Sequence, residues 1–343
     1  MLSLGASGAV SIRVAIAAGV VVVGTGLAAG APAAAAPPSP TVHFAALGDS
    51  YAAGVGAGTE RTTCRITSGA YAAMWSVTKP QSTKLNLAAC SGATSSDVVD
   101  HQLRALDADT DLVSLTVGSN DLGLTDAVRV CVGAERSAKC VAALKTIQAD
   151  LTEKLPAGIG TLLAAIKKKA ANAKVAVVGY PLPFVDVPDC PALPSAKSLR
   201  DAGNAAVTGL NAVLEAQARK AGAEFVTVAA PFAARGLCGA SPWLVGLEGL
   251  DAQTTLHPTL EGQRQGYLPA FTQAVGSVDD MQAWIAERDG PSASDDAPAG
   301  SGGWAGLPAA GWWLIGLSAV LVAMGTLGVV FVRRKASRAA ADR

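Results

Sequence analysis

The sequence predicts an α/β fold: a three-layer α/β/α sandwich around an open parallel sheet. Three observations carry this expectation. Between Pro40 and Ala286, five short apolar runs alternate with helical stretches. Each run is nearly continuous in its apolar residues, as strands buried on both faces of a parallel sheet are. No fixed-period repeat interrupts the alternation, so residues 40–288 read as one domain built from βα units.

The elements follow in order. The first run, Val42 to Leu47, stops at Gly48, and the second, Lys84 to Ala89, stops at Cys90-Ser91-Gly92. The third, Asp111 to Val117, is β-branched and ends at Gly118. Lys174 to Gly179 stops at Tyr180-Pro181, and Glu224 to Val228 stops before Pro231. Between them, Thr94 to Leu106 opens on Ser/Thr/Asp capping residues and is expected to be a helix. Ala142 to Ala171 reads as a long helix interrupted at Pro156 and Gly158. Leu199 to Ala221 has an apolar stripe with charges on another face, and Gly266 to Ala286 is expected to form the last helix.

Composition narrows the function classes. The 343 residues carry 27 basic and 27 acidic side chains, so nucleic-acid binding has no electrostatic footprint. Aromatics are 5%, and the core is expected to be built from small and β-branched side chains.

Both ends carry targeting patterns. In residues 1–36 a lone early Arg13, an apolar run Val14 to Ala29 and small residues Ala33 to Ala36 before Pro37 predict a signal peptide. At the other end, residues 289–310 form a Ser/Gly/Ala/Pro-rich linker. Residues 311–332 then hold no charge over a length sufficient for a transmembrane helix. Arg333, Arg334, Lys335 and Arg338 in the tail 333–343 predict a cytoplasmic end, and hence a main domain held on the outer face of the membrane. A second reading stands beside this one. Leu307-Pro308-Ala309-Ala310-Gly311, followed by the apolar span and basic tail, resembles a cell-wall sorting signal of the L-P-x-T-G type, with Ala310 in place of Thr. Sortase processing there would attach the domain to the cell wall.

Export makes disulfides the natural use of six cysteines, although fifteen pairings are open to them. Nearest-neighbour pairing is expected: Cys64 with Cys90, Cys131 with Cys140, Cys190 with Cys238. No Cys/His cluster has zinc spacing, so no metal is expected. The run Gly54 to Gly58 lacks the dinucleotide pattern, so no cofactor is expected.

Four short blocks remain: Gly48-Asp49-Ser50, Ser91-Gly92, Gly118-Ser119-Asn120-Asp121 and Leu256-His257-Pro258. The first three fall just beyond apolar runs, where open parallel sheets bind ligands. A serine hydroxyl needs a neighbouring base to act as nucleophile. Ser50 supplies the hydroxyl, although alone it reads first as a helix N-cap. The chain has three histidines; His43 lies on a strand and His101 on a helix, which leaves His257, in a loop pinned by Pro258, as the base. The tetrahedral intermediate of acyl transfer needs preorganised donors, and the Gly92 backbone N–H and the Asn120 side-chain amide are the candidates. Asp49 reads as structural. The set points to a serine esterase.

These four blocks, in this order, resemble the SGNH (also called GDSL) hydrolase family, across roughly Thr41 to Gln273, about two-thirds of the chain. The resemblance implies a flavodoxin-like sheet, Ser50 as nucleophile and His257 as base. It implies an oxyanion hole from the Ser50 and Gly92 N–H groups and the Asn120 side chain. It also implies disulfides like those of secreted actinobacterial esterases and lipases. The chain departs from the family pattern at one position: Thr254 stands three residues before His257, where the family usually has Asp. Either a backbone carbonyl or Asp251 then orients the ring, and a Ser–His dyad with carbonyl support is the preferred reading. The expected substrate is an ester, either a lipid or an acylated glycan. The alternatives are a polysaccharide O-acetyl esterase and a non-catalytic surface binding module. The pocket is expected to be lined by Cys131 to Cys140 and Asp186 to Leu199.

Overall fold

The most buried strands occupy the middle of a single sheet. In a computed structural model, which describes residues 39–191, 197–246 and 254–290, β1 (Val42–Gly48), β2 (Thr83–Leu87), β3 (Leu112–Thr116), β4 (Lys174–Val178) and β5 (Glu224–Val226) pair in the order β2-β1-β3-β4-β5. All four pairings are parallel, with Phe44 opposite Leu112 and Leu112 opposite Lys174. Every residue of β3 is buried, whereas the edge strand β2 alternates between exposed and half-buried. Both faces of the central strands are therefore covered, which explains their continuous apolar runs.

Alternate residues of a strand point to opposite faces, and two separate cores follow from that. Ala45, Leu47, Val113, Leu115 and Val177 pack with aliphatic side chains such as Ile159, Leu162, Ile166, Leu210 and Leu214. Val42, Phe44, Ala46, Leu112 and Ala176 pack with Tyr71, Trp75, Tyr267, Phe271 and Met281. Most of the buried aromatics thus collect on one face. Phe44 lies 5.4 Å from Trp75 and 5.7 Å from Phe271. The expectation of a core built from small and β-branched residues holds only in part for the first face, where leucines are the commonest side chains, and fails for the second. Composition counts aromatics but does not reveal that they are pooled.

The helices are α1 (Ser50–Ala53), α2 (Tyr71–Ser76), α3 (Ser95–Asp97), α4 (Leu124–Cys131), α5 (Ala138–Glu153), α6 (Leu155–Lys169), α7 (Lys197–Ala221), α8 (Ala229–Phe232), α9 (Leu268–Val275) and α10 (Val278–Asp289). Helices α6 and α7 cover the aliphatic face; α2, α9 and α10 cover the aromatic one. Three layers result, as expected.

Three helix expectations need correction. The stretch Thr94 to Leu106 is not one helix. After α3 the backbone widens into a π turn at Val98–Gln102 and tightens into a 3₁₀ turn at Leu103–Ala105. Gln102, at the end of the widened turn, sends its side chain inward to Gly48, a partner 54 positions away. Ala142 to Ala171 is two helices that meet at Lys154. Pro156 lies in the first turn of α6, where its missing N–H has no intrahelical partner to lose. Gly158 continues inside α6 without a break, because a glycine weakens a helix without ending it. Gly266 to Ala286 breaks at Gly276, whose carbonyl accepts the Trp75 indole N–H at 3.0 Å.

The three disulfides are Cys64–Cys90, Cys131–Cys140 and Cys190–Cys238, and no cysteine is free. The described residues up to Arg288 belong to one compact unit. Among the described residues no helix is long and apolar enough to cross a membrane. The expected leader at 1–36, the span at 311–332, its tail at 333–343 and Asp251 lie outside the described residues.

Candidate active site

The site is assembled at the carboxyl ends of β1 and β3, and it begins with Gly48. This residue has φ 128°, and a Cβ there would stand 2.0 Å from the Thr116 carbonyl oxygen of β3. Only glycine lets the two strands stay paired to their ends. The Gln102 amide then clamps both backbone groups of Gly48, accepting from its N–H at 2.7 Å and donating to its carbonyl at 2.8 Å. Beyond Gly48, Asp49 is the N-cap of α1, with its carboxylate accepting the Tyr51 N–H at 2.9 Å. Ser50 is therefore the first helical residue rather than the cap. Its N–H has no intrahelical acceptor, as is general for the first turn.

His257 arrives from the far side of the chain on a tight turn. Its N–H donates to the Thr254 carbonyl at 3.0 Å, and its own carbonyl accepts the Val245 N–H at 2.8 Å. The imidazole Nε2 lies 2.6 Å from Ser50 Oγ, although 207 positions separate the two residues. Nδ1 lies 3.1 Å from the Thr255 carbonyl. A carbonyl only accepts, so Nδ1 carries the ring proton and the bare Nε2 accepts the Ser50 hydroxyl. Burial lowers the His257 pKa to about 4, against a smaller upward pull from the Thr254 and Thr255 carbonyls. At neutral pH the ring is uncharged and able to take a proton.

The other two blocks are tied to the first by hydrogen bonds. The Cys90 N–H donates to the Gly48 carbonyl at 2.9 Å, which brings the Gly92 loop alongside Ser50. Gly92 has φ 85°, and the space where a Cβ would stand is open. Asn120 Nδ2 donates to the Ala93 carbonyl at 3.0 Å, so one amide hydrogen anchors the Gly92 loop and the second is left over. Asp121 accepts the Ser95 N–H at 2.9 Å, which fastens the same two loops again.

The sequence reading took Asp49 only as structural and missed the amides of Gln102 and Asn211. Asp49 is fully buried and accepts three hydrogen bonds: from the Tyr51 N–H, from Ser119 Oγ at 3.0 Å and from the Tyr180 hydroxyl at 2.5 Å. Burial pushes its carboxyl up to about 6; these donors pull it down, and the charge on Asp121 adds a further push upward. Asn211 clamps both backbone groups of Tyr180 as Gln102 clamps Gly48. Only Asp49 had a sequence signal, its place beside Ser50. The amides lie 31 and 54 positions from their partners, in helices whose periodicity gives no hint of them.

A cavity of about 200 Å³ opens beside Ser50 and His257. Its walls are Leu124, Ala127 and Val128 of α4, Ala206 and Val207 of α7, and Pro181 with Phe184 after β4. Among the described residues of the wall segments expected from sequence, only Cys131, Val132 and Leu199 take part; α4 and the inner face of α7 provide most of the rest. Among the described residues, no group of three or more His, Cys, Asp or Glu side chains could hold a metal ion.

Similarity to known proteins shows the class, carboxylic ester hydrolases. The model of the GDSL-like lipase/acylhydrolase family matches residues 46–265. A lipase from Streptomyces rimosus is 37% identical over 246 residues, which cover 71% of this chain and 90% of the relative. The solved structure of an extracellular lipase from Streptomyces rimosus superposes with a TM-score of 0.65 at 35% identity, covering 68% of this chain and 100% of that one. A phospholipase A1 from Streptomyces albidoflavus gives 0.64 at 35% identity, covering 68% and 99%. The chain belongs to the GDSL-like lipase/acylhydrolase family.

Proposed function

We propose that this chain is an exported, surface-held serine esterase or lipase that hydrolyses carboxylic esters through Ser50 and His257. The observation that carries the reading is the 2.6 Å approach of Ser50 Oγ to His257 Nε2, with Nδ1 bonded to a carbonyl. His257 takes the Ser50 proton as Oγ attacks the ester carbonyl carbon. The oxyanion so formed meets the Ser50 and Gly92 N–H groups and the second Asn120 amide hydrogen. His257 then gives the proton to the departing alcohol. Water, activated by the same ring, releases the acid and restores the serine.

The Thr255 carbonyl supports the dyad over an Asp251-assisted triad. Asp251→Asn should keep most of the activity; a loss of several orders of magnitude would overturn the dyad, because a misplaced base is that damaging. The apolar cavity walls favour an ester with a hydrocarbon acyl chain over an acetylated glycan, since an acetyl group leaves most of the cavity unfilled. The relatives named as a lipase and a phospholipase A1 support the same choice. A panel of p-nitrophenyl esters beside acetylated xylan tests it, with Ser50→Ala as control. Fluorophosphonate labelling tests catalysis itself: a folded chain that never labels at Ser50 would favour a binding module.

For the termini we propose removal of 1–36, a linker at 289–310 and anchoring by 311–332 with the tail 333–343 inside the cell. The uncharged span and its basic flank support the anchor. Mass measurement of the mature C-terminus decides between the anchor and sortase processing: cleavage near Ala310 would rule out the retained span.

A further inference from the structure

The Nδ1 of His257 bonds a carbonyl of its own loop, so the aim of the ring follows the backbone path that carries it. That path contains a costly step. Leu256, immediately before His257, has φ 65°, a left-handed conformation that few non-glycine residues adopt. Such residues persist where their surroundings over-determine them, and they gather at functional sites. Two hydrogen bonds hold this one. The Leu256 N–H donates to the Val245 carbonyl at 3.0 Å, and the Leu256 carbonyl accepts the Tyr51 hydroxyl at 2.8 Å.

Tyr51 is the residue after Ser50. Its hydroxyl therefore links the turn that bears the nucleophile to the peptide that bears the base, 205 positions away. The Tyr51 ring lies 5.0 Å from the imidazole and 4.9 Å from the Tyr180 ring, and its carbonyl accepts Gln263 Nε2 at 2.9 Å. Burial and then the charge of Asp49 raise the Tyr51 hydroxyl far above its ordinary value, so it keeps its proton and donates.

We infer that Tyr51 is a positioning residue: its hydroxyl holds Leu256 in the left-handed conformation and so keeps His257 Nε2 within bonding distance of Ser50 Oγ. The inference rests on reading Ser50 and His257 as the reacting pair. Tyr51 itself transfers no proton.

Tyr51→Phe in the full chain keeps the ring and removes only the hydroxyl. The turnover kcat should fall about tenfold to a hundredfold, as sub-ångström misplacement of a base does. KM should stay within about twofold, and the thermal midpoint should move by only a few degrees. Leu256→Asn and Leu256→Gly tolerate left-handed backbone far better. In either background the added loss from Tyr51→Phe should shrink to less than about threefold, a coupling that a merely structural role would not produce. An unchanged kcat in Tyr51→Phe, a raised KM with kcat retained, or an undiminished loss in both Leu256 backgrounds would each overturn the inference. If one Leu256 variant fails to fold, the other and the native-background kinetics still decide. Turnover by Ser50→Ala would defeat the reacting pair itself; an inactive Ser50→Ala beside an unaffected Tyr51→Phe defeats only the positioning role.

Discussion

The two ends of the sheet solve opposite problems. At the amino end, Asp111 accepts the His43 N–H at 2.9 Å and pairs with Arg288 at 2.8 Å. The Trp284 ring of α10 lies 4.9 Å from the Arg288 guanidinium and 4.8 Å from the Lys174 ammonium. Each of these charges meets an opposite charge or an aromatic face there, and no non-glycine residue with positive φ occurs at that end among the described residues. At the carboxyl end, Gly48 and Leu256 have positive φ, a carboxyl is pushed up to about 6 and an imidazole down to about 4. One end lowers the energy of the fold. The other shifts the pKa values of its groups from those in solution and holds backbone away from its easiest conformations, as reactive sites do.

Breaking the carboxyl end should abolish chemistry and spare the fold. Ser50→Ala or His257→Ala is expected to lose about a millionfold in kcat while circular dichroism stays native; activity within a tenth of wild type would void the contrast. Asn120→Ala should lower turnover by about 10²–10³ if its spare amide hydrogen meets the oxyanion, and unchanged turnover would remove it from the site.

Acid sharpens the comparison further. Because the folded His257 pKa lies near 4 rather than 6.5, the acid limb of kcat/KM should fall near pH 4, below which the protonated ring cannot take the serine proton. A limb near 6.5 would show an imidazole as free as in solution. The stability contributions have opposite signs. His257 is buried neutral, so stability is lost as pH falls from 6.5 through 4, where the unfolded chain binds the proton first. Asp49 has a raised folded value, so its contribution is present below 3.8 and lost as pH rises through about 6.

The amino end should give the mirror image with the smallest effect on rate. Arg288→Ala should lower stability by about 1–3 kcal/mol, as loss of a partner to a mostly buried carboxylate does, and leave kcat within about twofold. A large change in kcat with no loss of stability would erase the distinction between the ends.

Much of the fold was legible because its signals are local. The runs around Phe44, Leu115 and Val177 are apolar on both faces, and that pattern alone calls for a covered parallel sheet. The helix boundaries were less legible. Gln102 sits in a helical pattern yet ends a π turn, because its amide is matched to Gly48, and Trp75 binds Gly276 where the last helix breaks. The wall of the cavity was mostly missed, since which face of α4 and α7 turns inward depends on how they pack.

By itself the order of residues determined the α/β alternation, the presence of a serine, a histidine and two donor blocks beyond apolar runs, and the even set of cysteines. Only the tertiary structure decided that His257 Nε2 meets Ser50 Oγ, that Tyr51 reaches Leu256, and that Asp49 is sealed from water under Tyr180 and Ser119. The reason is one of range. Hydrophobic periodicity is read over a few neighbours, whereas hydrogen bonds spanning 70 to 207 positions exist only once packing has excluded water from both partners.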